Sequence, residues 1–182
     1  MIETERLVLR HWQAPDLPEL RRQSFDAEGM RYLLPLADEA AFQGMLARLD
    51  LWRDTLGFSF WAIERRTDRA ILGLCGFKRG ADGTPIASRL EIGWRLGVAH
   101  WGQGYAVEAA TACLGWADAM LPDDSVFAIT VPANTASWGL MERLGMHRLP
   151  DQDFDHPLVA DDSSLKRHIT YRRDRPFVNH LR

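Results

Sequence analysis

The stretch Glu91-Ile-Gly-Trp-Arg-Leu-Gly-Val-Ala-His-Trp-Gly-Gln-Gly-Tyr-Ala-Val-Glu-Ala-Ala110 constrains this chain more than any other. It reads as a strand that runs into a Gly-x-Gly turn and then into a helix. Gly102 and Gly104 lack a Cβ, so successive backbone N–H groups can turn inward there. With the positive end of the following helix, those amides form a ready site for a pyrophosphate. Neither common nucleotide fingerprint is complete: Val107 stands where GxGxxG needs its third glycine, and there is no Walker lysine. The segment therefore predicts a phosphate-bearing ligand at Gly102–Ala106 without naming it, and a bare glycine turn before a helix would give the same pattern.

The surrounding pattern alternates strands and helices. Arg6–Trp12 alternates as an opening strand, and Pro15–Phe25 has helical spacing. A second helix spans about Glu39–Thr55, with Phe42, Met45, Leu46, Leu49 and Trp52 on one stripe. Strands follow at Phe58–Glu64, Ala70–Lys78 and about Ser88–Leu96. A long helix from about Gly104 to Met120 is apolar nearly all round, which predicts deep burial. Ser125–Val131 reads as a strand and Thr135–Leu144 as a helix closed by Gly145. Apolar positions near Ile169 and Tyr171 suggest one or two final strands. The expectation is an α/β (α+β) fold, a sheet with helices on its faces, in a single domain spanning residues 1–182.

Composition narrows the function. A chain of 182 residues with 46% hydrophobic and 26% charged residues can bury a core without staples. A net charge of −3 and scattered arginines predict no nucleic-acid partner. No apolar run approaches the ~20 residues of a membrane span, and MIETERLVLR does not resemble a signal peptide. These points predict a cytoplasmic protein with no membrane partner. Cys75 and Cys113 lie in apolar segments and read as core thiols. No metal-ligand spacing is present, so no metal is expected.

A second segment, Ser125–Met146, places Asn134 at a helix start with Ser137 three residues on. Asn134 is a good N-cap by residue type, and capping alone accounts for its position.

At these residues the chain resembles a known family. Trp101-Gly-Gln-Gly-Tyr-Ala106 is similar to the (R/Q)xxGx(G/A) acetyl-CoA motif of the GCN5-related N-acetyltransferases. Asn134-x-x-Ser137…Glu142-Arg-Leu-Gly145 is similar to their NxxSxxxxEKxGF segment. The opening TERLVLRHW and EIGWRL…HWGQGYAVEAA look more particularly like the RimJ/RimL-like branch, which acts on ribosomal proteins. The resemblance implies a mixed, mostly antiparallel sheet flanked by helices on both faces. It also implies acetyl-CoA as cofactor and an amine acceptor, either a peptide N-terminus or a small molecule. Carried over by position, Trp101, Gly102, Gln103, Gly104, Tyr105 and Ala106 would hold the pyrophosphate. The strand end at Leu96–Val98 would pair with the pantetheine arm, and an N–H near Leu96 would face the developing oxyanion. Asn134 would bond the pantetheine, and Ser137 would lie near the sulfur. Three positions depart from the pattern: Trp101 replaces Arg or Gln, Met141 replaces a tyrosine proton donor, and Met146 replaces an aromatic residue.

An attacking amine must lose a proton, so a base is expected. Glu91 is the candidate, because a carboxylate on a central strand is costly unless paired or used. A structural pair with Arg95 or a similar residue is the alternative. His100 is a second candidate base, or a bystander flanking the turn, and His156 would line the acceptor cleft or serve as a loop fixture. Phe25, Arg31, Tyr32, Trp61 and the stretch 154–157 would line the acceptor pocket. The apolar late strands are of a kind that pair in a homodimer. The competing functional class is a CoA-binding sensor or interaction module with little turnover.

Overall fold

The computed structural model describes residues 1–177. Its strands are β1 (Ile2–Glu3), β2 (Leu7–Arg10), β3 (Phe60–Arg65), β4 (Ile71–Arg79), β5 (Leu90–Leu96), β6 (Ser125–Thr130), β7 (His147–Arg148), β8 (Phe154–Asp155) and β9 (Arg167–Asp174). The helices are α1 (Leu17–Ser24), α2 (Glu39–Leu56), α3 (Tyr105–Met120) and α4 (Thr135–Arg143). The strand order is β1-β2-β3-β4-β5-β6-β9-β7, with β8 on β9. All neighbours are antiparallel except β5 and β6. That pair is parallel because α3 carries the chain back across the sheet between them, as a parallel connection requires.

Local chemistry sets the helix ends. The Asp38 carboxylate accepts from the Ala41 N–H and starts α2, and Gly57 in the left-handed region ends it. α3 starts at Gly104 with no capping side chain. Its Ala109, Ala110, Cys113, Leu114 and Ala117 are all buried, in keeping with its apolar pattern. They pack on one face of the sheet with Leu90, Ile92 and Leu96 of β5 and Val126 and Ala128 of β6. Small residues on α3 let it lie close to the strands, while aromatic rings fill the space beyond. Trp61 meets Trp116 edge-on at 4.9 Å between centroids, and both lie beside Phe77. Such contacts contribute about 0.5–1.5 kcal/mol beyond area burial.

That cluster corrects one expectation. Trp61 is 3% exposed and belongs to the α3-side core, so it lines no acceptor pocket. On a strand, side chains alternate between faces, and Trp61 falls on the opposite face from Phe60. α2 also packs less fully than its stripe suggested: Phe42 and Leu49 are buried, whereas Met45, Leu46 and Trp52 are only partly covered.

The opposite face is organised by ions as well as apolar groups. Arg10 grips Asp16 and Glu64 at 2.6 Å each, all three side chains being at most 12% exposed. This triad ties β2, the turn before α1, and β3 together.

Candidate active site

The site begins where the sheet fails to pair. β5 and β6 share a single register pair, Glu91 with Phe127, and then diverge. The Gly97 N–H donates to the Leu72 carbonyl, so odd-numbered residues of β5 turn their backbone groups toward β4. Pairing alternates along a strand; the N–H and C=O groups of Trp94 and Leu96 therefore face the gap. The Leu96 carbonyl accepts the Trp101 indole N–H at 2.8 Å, which folds that ring over the end of the gap. β5 stops at Leu96, and Val98 opens a short 3-10 turn through His100 instead of extending the strand. Only Leu96 of the expected Leu96–Val98 stretch is therefore strand edge.

At one rim of the gap stands the glycine turn. Gly102 and Gly104 have φ of 71° and 80°, in the left-handed region. An added Cβ would meet nothing within 4 Å at Gly102, and at Gly104 only Arg6, at 3.4 Å. Conformation, and not crowding, is what selects glycine there. With no side-chain cap on α3, the first-turn amides of Tyr105, Ala106 and Val107 lack intrahelical partners. The Gln103 side chain turns back to the Ala99 carbonyl.

The N-terminal segment clasps this turn. Arg6 pairs with Glu108 at 2.6 Å, donates to the Gln103 carbonyl at 3.0 Å and lies over the Tyr105 ring at 4.6 Å. The Glu108 carboxylate also accepts from the Thr4 hydroxyl at 2.6 Å. Burial alone would raise the Glu108 pKa, but Thr4 and Arg6 outweigh it and hold the carboxylate low. Its charge is thereby answered locally beside the glycine turn. Sequence reasoning missed Thr4, Arg6 and Glu108, because a contact across about a hundred residues leaves no periodic mark.

The other rim is the start of α4. Asn134 Oδ1 accepts from the Ser137 N–H at 3.3 Å, and its amide donates to Thr130 Oγ1 at 3.1 Å. The capping role is thus realised, leaving one lone pair and one N–H for other contacts. The Ser137 side chain is partly exposed, with no partner among the described residues. Met141 is 2% exposed and packs into the core.

Glu91 lies on the face away from α3 and is 6% exposed. Its pairing alternative is realised, though with Lys78 and not Arg95. Lys78 Nζ sits 2.7 Å from Oε2 across the β4–β5 register. The approach lies outside hydrogen-bond geometry for that oxygen, so the contact is an ion pair. Burial pushes the Glu91 pKa up, and Lys78 offsets only part of the rise. His156 and His168, 5.0 Å apart, flank Phe154 on the late strands. Burial, then His168 and Lys78, hold His156 below the usual imidazole range. His100 stands apart, by the turn, and is also lowered by burial. Of the remaining pocket candidates, Phe25 packs on Phe42, while the Arg31 guanidinium lies over Tyr32 and Trp101.

A splayed parallel pair, with an uncapped helix after a glycine turn at one rim and a second helix N-terminus at the other, is an arrangement that suits an acyltransferase. The comparisons agree. Residues 6–147 match the acetyltransferase (GNAT) domain model, and the chain belongs to that family. It is 30% identical over 148 residues to the uncharacterized N-acetyltransferase p20 of Bacillus licheniformis, covering 80% of this chain and 81% of that one. It resembles the crystal structure of an acetyltransferase from Agrobacterium tumefaciens strain C58, with TM-score 0.72 and 26% identity. That match covers 94% of this chain and 92% of the other. The fold also matches RimL, the ribosomal L7/L12 α-N-protein acetyltransferase in complex with coenzyme A, with TM-score 0.72. That match covers 94% of this chain and 95% of the other at 13% identity, a likeness of fold alone. Among the described residues no helix is long and apolar enough to cross a membrane.

Proposed function

We propose that this enzyme moves an acetyl group from acetyl-CoA to a primary amine by direct attack within a ternary complex. The observation that carries this is the gap after Glu91 and Phe127, which leaves β5 backbone groups facing an opening between two helix N-termini. Bound acetyl-CoA would supply the thioester whose acyl carbon receives the amine. The amides of residues 102–106 suit its pyrophosphate, and the Trp94–Leu96 edge suits an extended pantetheine arm as an added strand. Trp101 contributes its backbone and, through its indole, a cover on that edge. The Leu96 N–H is the donor for the developing oxyanion. Asn134 has one N–H left for the pantetheine, and Ser137 is the hydroxyl that can protonate the departing thiolate.

Glu91 takes the proton lost by the amine, through water. Ion pairing with Lys78 keeps its carboxylate ionisable although it is buried. Starting from the ammonium form, the nitrogen gives up one proton to Glu91 and gains the carbon bond; as the carbon–sulfur bond breaks, the nitrogen's second proton replaces the one that Ser137 passes to the sulfur. Positioning supplies most of the acceleration in such a reaction.

The acceptor is a peptide N-terminus or a small amine, and the RimJ/RimL-like motifs favour the former. A second reading, a CoA-binding module with little turnover, is favoured by one observation: Glu91 is already engaged by Lys78. Titration with acetyl-CoA, followed by an amine-dependent thiol-release assay, tests both. Micromolar-range binding with thiol release supports transfer. Binding without release supports the module, and absence of binding overturns both.

A further inference from the structure

Two arginines on the same face of the sheet are treated in opposite ways. Arg10 is surrounded by carboxylates, Asp16 and Glu64. Arg95 is largely enclosed and has none among the described residues. Its Nη2 donates to Ser24 Oγ at 2.8 Å and its Nη1 to Met30 Sδ at 3.0 Å, a weak acceptor. Its Nε is shut off from solvent with no partner among the described residues. Two of five N–H donors are used, and three remain. Burial acts on the guanidinium without any opposing carboxylate, pulling its pKa down to about 10, so it is still charged at neutral pH. A buried charge without a counter-charge is costly and persists when a ligand supplies one.

The position of Arg95 says where that ligand comes from. Glu91, Gly93 and Arg95 project from one face of β5, at every second residue. Gly93 carries no side chain between them, and the Phe60 ring packs over it, 3.0 Å from where a Cβ would stand. Arg95 thus lies along the strand from the proposed base, on the side away from α3. It is one residue before Leu96, whose backbone faces the gap. A guanidinium fork with free donors matches a carboxylate or phosphate in two parallel hydrogen bonds.

We propose that Arg95 reads an oxyanion, a carboxylate or a phosphate, carried by the same molecule as the amine that is acylated. This rests on the acetyl-transfer reading above, because it takes the Glu91 face as the acceptor side. The alternative is that Arg95 merely pins the end of α1 and the loop beyond it to β5 through Ser24 and Met30.

The test is isothermal titration of CoA-saturated protein with matched pairs of amines. The pairs are an amino acid against its carboxamide, O-phosphoethanolamine against ethanolamine, and a peptide with an acidic second residue against its amide counterpart. In the wild type, the charged member of one pair binds at least about tenfold tighter, as expected for a hydrogen-bonded charge. The pair that shows the preference tells carboxylate from phosphate. Arg95→Met abolishes the preference while acetyl-CoA affinity and melting temperature hold or rise. Arg95→Lys keeps the charge but loses the fork, so it retains only part of the preference. No preference in the wild type, or one that survives in both variants, overturns the proposal. So does a Met variant that melts lower while the Lys variant keeps the full preference, the mark of a structural pin. A loss of acetyl-CoA affinity in Arg95→Met would assign the residue to the cofactor instead. Wild type that fails to bind acetyl-CoA is a separate result: it overturns the acetyl-transfer reading and the acceptor assignment with it.

Discussion

Lys78 and Glu91 face each other across adjacent strands, 2.7 Å apart, with the carboxylate almost fully buried. The pair sets the pH behaviour expected of the enzyme. A base must be ionised, and burial raises the Glu91 pKa above its ordinary value. Activity should therefore rise with pH through that raised value. Glu91→Gln lowers kcat by about 10²-fold or more and removes the ascending limb of the kcat/KM profile. Lys78→Met removes the offsetting charge and moves the limb to higher pH. An unaltered profile in Glu91→Gln would leave Glu91 a structural group.

The same shift has a stability sign. The folded state holds the Glu91 proton more tightly than the unfolded chain does. Its favourable contribution is complete below the ordinary carboxylate pKa and declines as pH climbs to the raised value. Urea unfolding at pH 4 and pH 8 should show Glu91→Gln gaining on the wild type as pH rises.

Gly104→Val tests the glycine turn. A β-branched residue at φ of 80° is strained, costing about 1–2 kcal/mol of stability. Redirection of the α3 amides should cost more in cofactor affinity than in folding. Acetyl-CoA titration beside a thermal melt reads both, and unchanged affinity in a folded variant removes the pyrophosphate assignment.

Arg10→Met strands Asp16 and leaves Glu64 with only the exposed Arg69, 3.3 Å away. Breaking a buried ion pair from one side costs about 3–5 kcal/mol. Burial alone would raise the Asp16 pKa, yet Arg10 and the Gln13 N–H bring it below its ordinary value. That stabilisation is present above the ordinary Asp pKa and lost as pH falls through the lowered one. The deficit of the variant should accordingly be large at pH 7 and shrink toward pH 3 in chemical denaturation.

Ser137→Ala should leave the melting temperature unchanged, because the hydroxyl holds no partner among the described residues. If it protonates the thiolate, kcat falls by about 10²-fold with KM for acetyl-CoA preserved.

Much of the fold is legible in the sequence. Strand and helix positions follow from periodicity, because α3 buries a continuous face on the sheet and its flanking strands carry strong patterns. The glycine turn and the α4 start are marked by residue types with few conformational uses. What periodicity does not carry is pairing across distance. Nothing in the order of residues joins Lys78 to Glu91 in preference to Arg95, or Arg6 to Glu108. Trp61 misleads because an aromatic residue on a strand suits either face until its neighbours are known.

The single register pair between β5 and β6 has a consequence for the life of the protein. Sheet amides without partners exchange with water and loosen the strands that carry them. A pantetheine lying in the gap would serve as a strand that the polypeptide itself does not encode. The cofactor would then be partly a folding subunit, adding about 2.7 kcal/mol when present at a hundred times its dissociation constant. The amount of intact enzyme in a cell would follow the supply of acetyl-CoA, so that scarcity thins the enzyme as well as starving it.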